Sequence, residues 1–403
     1  MNILVIGNGF DIAHGLKTGY DNFVNVINTI ATFTKAEMSN YNYKYPYYED
    51  DKKIKEIILK VEIEGFVFSE SKEDFELFKE LVKINHSNSI LNHLMKSKND
   101  DKGWVGVEDE IGRIVEAWVE VLNKIDLLSQ SETKKQSLEQ LLSISSKFIM
   151  ESFFEFYNKS GNYNIGQLKV DYFSVNRGTS KQKLFTALRN QLDGLIRSFE
   201  IYLILYVKGQ VVKPVIDMEK ISPDLVVNFN YTDTYREYQI PEDQVKYIHG
   251  KIESIPNNIV MGMNVYEEEY DRRFIYFMKF FQRIQHKNDI LKAKDLFELA
   301  DVGDMYGRIN QKPQCLQKVY FIGHSMSNAD GDVIRLLKSP VMETEDFSIE
   351  SEFIIYYYDQ RDYEHKVINL FEVFGKDETI QMIHDEEIVF LPLENIVFKQ
   401  ATK

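Results

Sequence analysis

The sequence predicts a mixed α/β protein built on a mostly parallel sheet, with a large helical segment inserted near its amino terminus. After residue 223, short apolar runs alternate with helical patterns, which is the order of βαβ units. A similar apolar run opens the chain. The stretch between residues 21 and 215 has an almost wholly helical pattern. The sheet is therefore expected to be discontinuous in sequence.

The first residues combine a strand, a glycine turn and the start of a helix. Ile3 to Ile6 form an apolar run rich in β-branched residues, which is typical of a strand buried on both faces. Gly7, Asn8 and Gly9 follow, and these residue types tolerate positive φ. Such a turn leaves backbone N–H groups available for an anion, most often a phosphate. A plain strand-to-helix turn of an α/β domain explains the same residues about as well.

The glycine spacing argues against an ordinary nicotinamide dehydrogenase. The dinucleotide fingerprint GxGxxG requires a glycine at position 12. This chain has Ile12 there, and its next glycine is Gly15.

Length, charge and cysteine content narrow the class of protein. The 403 residues allow two domains, or one domain with a large insertion. A net charge of −15 argues against a nucleic-acid-binding face but not against a small anionic ligand. The single Cys315 excludes an intrachain disulfide and a Cys-rich zinc site, and no metal is expected. With no signal-peptide pattern and no apolar run of membrane-spanning length, we expect a cytoplasmic protein without a membrane partner.

The helical segment is predicted to be an insertion domain over residues 21–215. Residues 1–20 and 216–403 are then the two parts of the sheet domain. The helical patterns cover 21–34, 72–98, 104–128, 133–159 and 181–208, with a loop over 41–53.

Strands and helices alternate in the carboxyl-terminal part. The predicted strands are 224–230, 245–249, 259–263, 319–322 and 353–358. The predicted helices between them are 267–294, 332–338 and 364–374.

Polar residues end most of the predicted strands. In open parallel sheets, ligands bind beyond the carboxyl ends of the strands, so these residues are candidates for a site. Local turn preferences explain the Asn and Asp residues among them but not the two histidines. The candidates are Gly7, Asn8, Gly9, Phe10, Asp11, Asn228, Asn230, Thr232, His249, Gly323, His324, Ser325 and Asp359.

Four of these segments resemble the motifs of a known family. The run GNGFDIAHGLKTGY resembles the opening of the AbiH-type bacteriophage abortive-infection proteins and, through them, the first motif of the sirtuin-like NAD-consuming fold. Gly15-Leu16-Lys17 falls in register with the sirtuin Gly-Ile-Pro. Asn230-Tyr231-Thr232 is similar to a sirtuin strand end, and His249-Gly250 to the catalytic His-Gly pair. Gly323-His324-Ser325-Met326 resembles the turn that contacts the dinucleotide.

The chain also departs from the sirtuin pattern. The zinc-binding Cys pairs of sirtuin deacylases are absent, Thr232 stands in place of an aspartate, and Lys17 in place of a proline. These departures argue against protein deacylation. The resemblance implies a Rossmann-like, sirtuin-like domain that acts on the nicotinamide–ribose bond of NAD.

The resemblance assigns a role to each part of this site. His249 would be the general base, and Asn230 would orient the ribose or the attacking water. Asp11 would place a carboxylate near the developing positive charge, or would simply be an acid in the first turn of a helix. The dinucleotide would be bound by Gly7, Asn8, Gly9, Phe10, Gly15, Asn228, Thr232, Gly323, His324, Ser325 and Asp359. Of these, the first three would hold the pyrophosphate, and Ser325 a ribose hydroxyl or a phosphate.

The expected function is antiphage defence by an NAD glycohydrolase, with NAD as its substrate. The alternative is a nucleotide-binding sensor, for NAD or an ADP-ribose-type signal, without catalysis. An enzyme that depletes NAD must be inactive in healthy cells, so regulation by a homo-oligomer, a partner defence protein or a phage-derived trigger is also implied. A nuclease is disfavoured, because paired carboxylates at metal-ligand spacing are missing and the net charge is unsuitable.

Overall fold

The chain folds into two compact units. The computed structural model describes residues 1–40, 50–63, 65–68, 71–97, 103–130, 142–155, 167–168, 181–263, 271–288, 291, 296, 314–339 and 348–398. The sheet unit consists of Met1–Thr18, Gln210–Val260 and Arg283–Lys403, and the helical unit of Gly19–Gly209 and Met261–Gln282. Compactness does not show that a unit folds independently, so the domain boundaries at residues 20 and 215 stay a prediction.

The regular elements within the described residues are as follows. The strands are Asn2–Ile6 (β1), Phe154–Glu155 (β2), Gln167–Leu168 (β3), Leu225–Asn228 (β4), Val245–Tyr247 (β5), Gln314–Ile322 (β6), Ser348–Tyr357 (β7) and Ile388–Pro392 (β8). The α-helices are Asn8–Ala13 (α1), Tyr20–Asn40 (α2), Asp51–Ile63 (α3), Lys72–Ser87 (α4), Ser89–Lys96 (α5), Gly103–Gln130 (α6), Ile144–Met150 (α7), Lys181–Tyr206 (α8), Lys279–His286 (α9), Gly331–Lys338 (α10), Gln360–Phe374 (α11) and Lys376–His384 (α12). Short 3-10 helices include Thr234–Tyr238, Arg272–Phe277 and Asn328–Asp330.

Six strands form one open sheet in the sheet unit. Their order is β5-β4-β1-β6-β7-β8, and every pair of neighbours is parallel. Numbered within the sheet in chain order, this is 3-2-1-4-5-6, the order of the Rossmann type. β1 lies in the interior, with Ile3 opposite Leu225 of β4 on one side and Val319 of β6 on the other. The predicted α/β fold with a Rossmann-like parallel sheet is confirmed.

Both faces of the sheet are buried. The side chains of a strand alternate between the two faces. Ile3 and Val5 point to one face, which packs against residues of α10, α11 and α12. Leu4 and Ile6 point to the other, where Phe10 and Tyr235 pack. A strand buried on both sides needs an almost continuous apolar sequence, and this explains the run at the start of the chain.

Long helices dominate the helical unit. Phe23, Phe199 and Tyr202 are all buried, and their ring centroids lie 5.4–6.3 Å apart. The predicted helix over 72–98 is in fact two helices. Asn88 separates them in an extended conformation, and its side chain accepts a hydrogen bond from the N–H of Leu91. A residue that caps a helix in this way ends the preceding one.

Other predicted elements differ in detail. Helices at 103–130 and 181–206 match the predicted ones closely. Of the helix predicted over 133–159, only 144–150 is helical within the described residues, and 154–155 pairs with 167–168 as a two-stranded sheet. Residues 41–49 of the predicted loop lie outside the described residues, but the loop prediction is wrong at 51–53, which begin α3, a helix that the sequence pattern did not reveal. The predicted helix 267–294 is a 3-10 helix followed by α9, with 264–270 outside the described residues.

The strand predicted over 259–263 is wrong. Among the described residues, its only ladder contact is an isolated bridge between Met263 and Met278. Gly262 lies so close to this partner segment that an added Cβ would be 2.3 Å from the carbonyl oxygen of Phe277. The preceding apolar residues Ile259, Val260 and Met261 are buried without belonging to the sheet. The sequence reading also missed α12 and β8.

None of the helices within the described ranges is both long enough and apolar enough to cross a membrane.

Candidate functional site

Four adjacent strands bring most of the predicted site residues to one edge of the sheet. Gly7 follows β1, Asn230 follows β4, His249 follows β5 and Gly323 follows β6. Because these strands are neighbours and parallel, their carboxyl ends meet at the same edge. We call this the carboxyl edge.

The glycine turn after β1 packs directly on the turn after β6. The N–H groups of Gly7 and Gly9 donate to the carbonyl oxygens of Ile322 (3.1 Å) and Gly323 (2.9 Å). A Cβ on Gly9 would lie 2.8 Å from Cα of Gly323, and one on Gly323 only 2.0 Å from the nitrogen of Phe10. This backbone contact admits no side chain, which explains why both turns need glycine.

The same hydrogen bonds bear on the predicted pyrophosphate site. The N–H groups of Gly7, Gly9 and Phe10 all donate to carbonyl oxygens of the protein. Those of Gly7 and Gly9 hold the two turns together, whereas that of Phe10 donates to the carbonyl oxygen of Gly7 within the first turn. Asn8 is the first residue of α1 and is half-buried. Gly15 follows the end of α1 with φ +83°, a conformation that favours glycine. This conformation explains the residue without the predicted role in binding.

Hydrogen bonds of two asparagines at the end of β4 order the loop that follows and tie it to the glycine turn. Asn228 accepts the N–H of Asn230 at 2.8 Å and donates to the carbonyl oxygen of Thr232 at 3.0 Å. The amide of Asn230 donates to the carbonyl oxygen of Gly7 at 3.0 Å. Both asparagine side chains and that of Thr232 are buried. Asn228 and Asn230 thus have structural hydrogen bonds at the positions where the sequence predicted contacts with a nucleotide.

Asp11 is a buried carboxyl group beside the same loop. Its Oδ2 accepts the hydroxyl of Thr232, whereas Oδ1 has no hydrogen-bond partner among the described residues. Burial raises the pKa of Asp11 to about 6, although the hydrogen bond from Thr232 and the polar side chains of Thr234 and Asn230 nearby lower it. A carboxyl group that titrates near neutral pH is uncommon outside functional sites.

An aspartate lies between two buried imidazoles at the carboxyl edge. Nε2 of His249 lies 2.9 Å from Oδ1 of Asp330, and Nε2 of His324 lies 3.6 Å from Oδ2. The three residues are 5%, 3% and 5% exposed. The ring of Phe229 packs at steep angles to both imidazoles, with centroids 5.2 and 4.4 Å away. We call His249, His324 and Asp330 the imidazole cluster.

Backbone contacts also fix the position of His249. The carbonyl oxygen of His249 accepts the N–H of Val260 at 2.9 Å. Gly250 follows with φ +81°, and a Cβ there would lie 2.1 Å from the carbonyl oxygen of Asn258. The His-Gly pair noted in the sequence thus has a physical reason: the glycine lets the chain turn directly after the imidazole.

The loop from Gly323 to Asp330 is held in one conformation. Met326 is fully buried at φ +60°, a region that residues other than glycine rarely adopt. Its N–H donates to Nδ1 of His324 at 3.0 Å, and Asn369 donates to the carbonyl oxygen of Ser325 at 2.7 Å. The N–H of Asp330 donates to the carbonyl oxygen of Ser327 at 3.1 Å. These bonds place the Asp330 carboxylate before any ligand arrives.

The remaining predicted residues have other positions. Phe10 is fully buried in the core, against His14 and Tyr238. Ser325 is half-buried in the loop after β6. Asp359 is exposed and caps α11, where its side chain accepts the N–H of Asp362 at 2.8 Å. A helix cap explains an aspartate at the end of β7 without a ligand.

The structure therefore sorts the predicted residues into groups. His249 and His324 meet through Asp330, Asn230 meets the glycine turn, and Asp11 meets Thr232. The three predicted catalytic residues have different hydrogen-bond partners, although all three follow strands at the carboxyl edge.

Sequence reasoning missed two members of this region. Asp330 lies in the segment SNADGD, which has the composition of an ordinary turn. Tyr238 lies in a 3-10 helix, and its hydroxyl accepts the N–H groups of Val215 (3.1 Å) and Ile216 (3.0 Å). The same hydroxyl bonds to Nε2 of His14, while Nδ1 of His14 bonds to the carbonyl oxygen of Phe10. Burial lowers the pKa of His14.

Within the described residues, no group of three or more His, Cys, Asp or Glu side chains could hold a metal ion.

An open parallel sheet of the Rossmann strand order, with buried imidazoles and carboxylates at its carboxyl edge, defines an α/β protein of the Rossmann-like class. Comparison with known families identifies it further. Residues 3–349 match the family described as bacteriophage abortive infection AbiH, and the chain belongs to that family. Its role is accordingly in phage abortive infection. Comparison with curated proteins gave no match, and neither did comparison with solved structures.

Proposed function

We propose that this AbiH-family protein hydrolyses NAD to nicotinamide and ADP-ribose, and that loss of NAD arrests the infected cell. The observation that supports this most is the imidazole cluster at the carboxyl edge of a 3-2-1-4-5-6 sheet. Sheets of this order bind dinucleotides at the carboxyl ends of their strands. The resemblance of the glycine turn and the His-Gly pair to sirtuin motifs points to the same substrate.

The reaction needs a base more than an acid. Cleavage breaks the bond between C1′ of the ribose and the nicotinamide nitrogen, and the electron pair leaves with neutral nicotinamide. Water then forms a bond to C1′ and gives up a proton. In this proposal His249 accepts that proton, because an imidazole titrates close to neutral pH.

Asp11 would act electrostatically. The ribose carbon becomes positively charged as nicotinamide departs, and a carboxylate nearby stabilises this charge. With a pKa of about 6, Asp11 is mostly ionised at pH 7.5. Asn230 would contribute indirectly, since its amide holds the glycine turn through the carbonyl oxygen of Gly7.

Nicotinamide release from NAD by the purified full-length chain tests the proposal. His249→Ala should abolish release while nucleotide binding, measured by calorimetry, is kept. His384→Ala is the matched control, because this histidine lies in α12 with an 83% exposed side chain and should leave release unchanged. Absence of release by the wild-type chain, alone or with lysate of phage-infected cells, would reject hydrolysis.

A nucleotide-binding sensor is the second candidate. It is favoured by the burial of His249, which is only 5% exposed and has little access to a reacting carbon. A sensor should bind NAD or ADP-ribose without turnover, and His249→Ala should leave phage defence intact as long as binding survives. Control by a homo-oligomer, a partner defence protein or a phage component is part of both proposals.

A further inference from the structure

We propose that Asp330 is the positioning residue of the carboxyl edge: it holds His249 in the tautomer that carries hydrogen on Nε2, the same tautomer that the loop backbone gives to His324. His249 then has its basic lone pair on Nδ1. The role of Nδ1 as a base rests on the proposed hydrolysis of NAD, whereas the tautomers do not.

The first step concerns His324. Its Nδ1 lies 3.0 Å from the backbone nitrogen of Met326, which is always a donor. Nδ1 must therefore accept, and in a neutral imidazole the hydrogen is then on Nε2. Nε2 is the atom that faces Oδ2 of Asp330 at 3.6 Å. The backbone of the loop thus fixes this tautomer independently of the carboxylate.

The second step concerns His249. Its Nε2 lies 2.9 Å from Oδ1 of Asp330. An ionised carboxylate only accepts hydrogen bonds, so the Nε2 atom must donate. A neutral His249 then carries its lone pair on Nδ1. When one ring nitrogen donates to a carboxylate, the other ring nitrogen is the one that can receive a proton, as in other imidazole–carboxylate pairs.

The third step concerns Asp330 itself. It is 5% exposed, and it ends a loop whose conformation is fixed by the bonds to Met326 and Asn369. A buried carboxylate is stable only when positive or donor groups face it. Both imidazole Nε2 atoms face it here. An extra proton beside this negative charge would therefore be held by His249, because Nδ1 of His324 already accepts the N–H of Met326.

Nitrogen-15 NMR of the histidine-labelled full-length chain measures the tautomers directly. His249→Gln and His324→Gln spectra assign the two rings among the eight histidines. At pH 8, the wild-type chain should show hydrogen on Nε2 for more than nine-tenths of both rings. Hydrogen mainly on Nδ1 of His249 in the wild-type chain would overturn the proposal without any variant.

Asp330→Asn tests the cause. An amide both donates and accepts, so the Nδ1–H form of His249 should rise at least fivefold, whereas His324 should keep its tautomer because the N–H of Met326 still donates to it. Asp332→Asn is the matched control: it removes the same charge two residues away, but its carboxylate faces Arg283 and the tautomers should not change. An unchanged His249 in a folded Asp330→Asn chain would refute the assignment. Should this variant fail to fold, the wild-type spectrum decides alone.

The kinetic measurement separates this proposal from the proposed reaction. Asp330→Asn should lower kcat for NAD hydrolysis by about 100-fold or more while KM changes less than threefold, since a wrong tautomer removes the base without removing binding contacts. A wild-type chain that releases no nicotinamide but shows the expected spectra would reject hydrolysis and keep the tautomer assignment. Full kcat in a folded Asp330→Asn chain would reject the positioning role.

Discussion

Replacing Gly323 by alanine should strongly destabilise the sheet unit, because this glycine meets two separate requirements. Its φ is +66°, which costs a residue with a Cβ about 1 kcal/mol. Its added Cβ would also lie 2.0 Å from the nitrogen of Phe10 and 2.3 Å from the carbonyl carbon of Gly9. Neither backbone atom can move without displacing the turn after β1.

Two other glycines separate these costs. Gly15 has φ +83°, and no atom of the described residues lies within 4 Å of an added Cβ, so Gly15→Ala should cost only the backbone term of about 1 kcal/mol. Gly7 has an extended φ of −125°, but its Cβ would lie 2.7 Å from Cα of His324. Overpacking of this kind costs about 1–3 kcal/mol. Gly323→Ala combines both terms and should cost about 2–4 kcal/mol.

Urea denaturation of the full-length variants, followed by circular dichroism, measures these free energies of unfolding. Hydrogen exchange of a peptide that covers β1 should locate the effect, since its amides should exchange faster in Gly323→Ala than in Gly15→Ala. If Gly323→Ala were as stable as Gly15→Ala, the close contact between the two glycine turns would not exist in solution.

Three further predictions concern buried polar groups. Asp11→Asn should stabilise the protein at pH 7.5 by up to about 3 kcal/mol, because burial raises the pKa of Asp11 to about 6 and ionising this carboxyl group in the folded state is costly. In thermal unfolding, this gain in stability should shrink as the pH falls from 6 to 4. An equal gain at pH 4 would contradict the raised pKa. Tyr238→Phe should lower the free energy of unfolding, measured by urea denaturation, by about 2–3 kcal/mol, because two backbone N–H groups lose their acceptor. The control Tyr358→Phe, at an 81% exposed position, should not change this free energy measurably. Burial lowers the pKa of His14, so its neutral form stabilises the fold above about pH 6.5, and this contribution is lost as the pH falls below that value. The free energy of unfolding of His14→Gln should therefore change less than that of wild type between pH 7.5 and 5.5. Identical pH profiles of the two proteins would contradict a buried neutral imidazole.

The sequence was sufficient for the architecture of the sheet because its strands are buried on both faces. Such strands have continuous apolar sequences, and five of the six were recognised from them. β8, at the edge of the sheet, was missed although its sequence IVFLP is as apolar as those of the interior strands. The false strand at 259–263 shows the converse case. A short apolar run can be buried outside a sheet by contact with another segment, and hydrophobic periodicity does not distinguish such a run from a strand.

The site was predictable only in part. The carboxyl ends of parallel strands locate an edge of the sheet, and His249 and His324 were found in that way. Asp330 was not, because an aspartate in a turn is so common that its composition gives no signal. Its importance comes from spatial proximity to two imidazoles, one of them 81 residues away. Likewise, the donors of Gly7 and Gly9 looked available in the sequence, and only the structure shows their carbonyl partners.

The position of β1 has a consequence for biosynthesis. This interior strand is made first, yet Leu225, its partner on one side, is translated 222 residues later. At the usual speed of a ribosome, the run Ile3 to Ile6 waits roughly 10–40 seconds for that partner. Until then, this apolar β-branched segment of the nascent chain is exposed to chaperones or to other nascent chains.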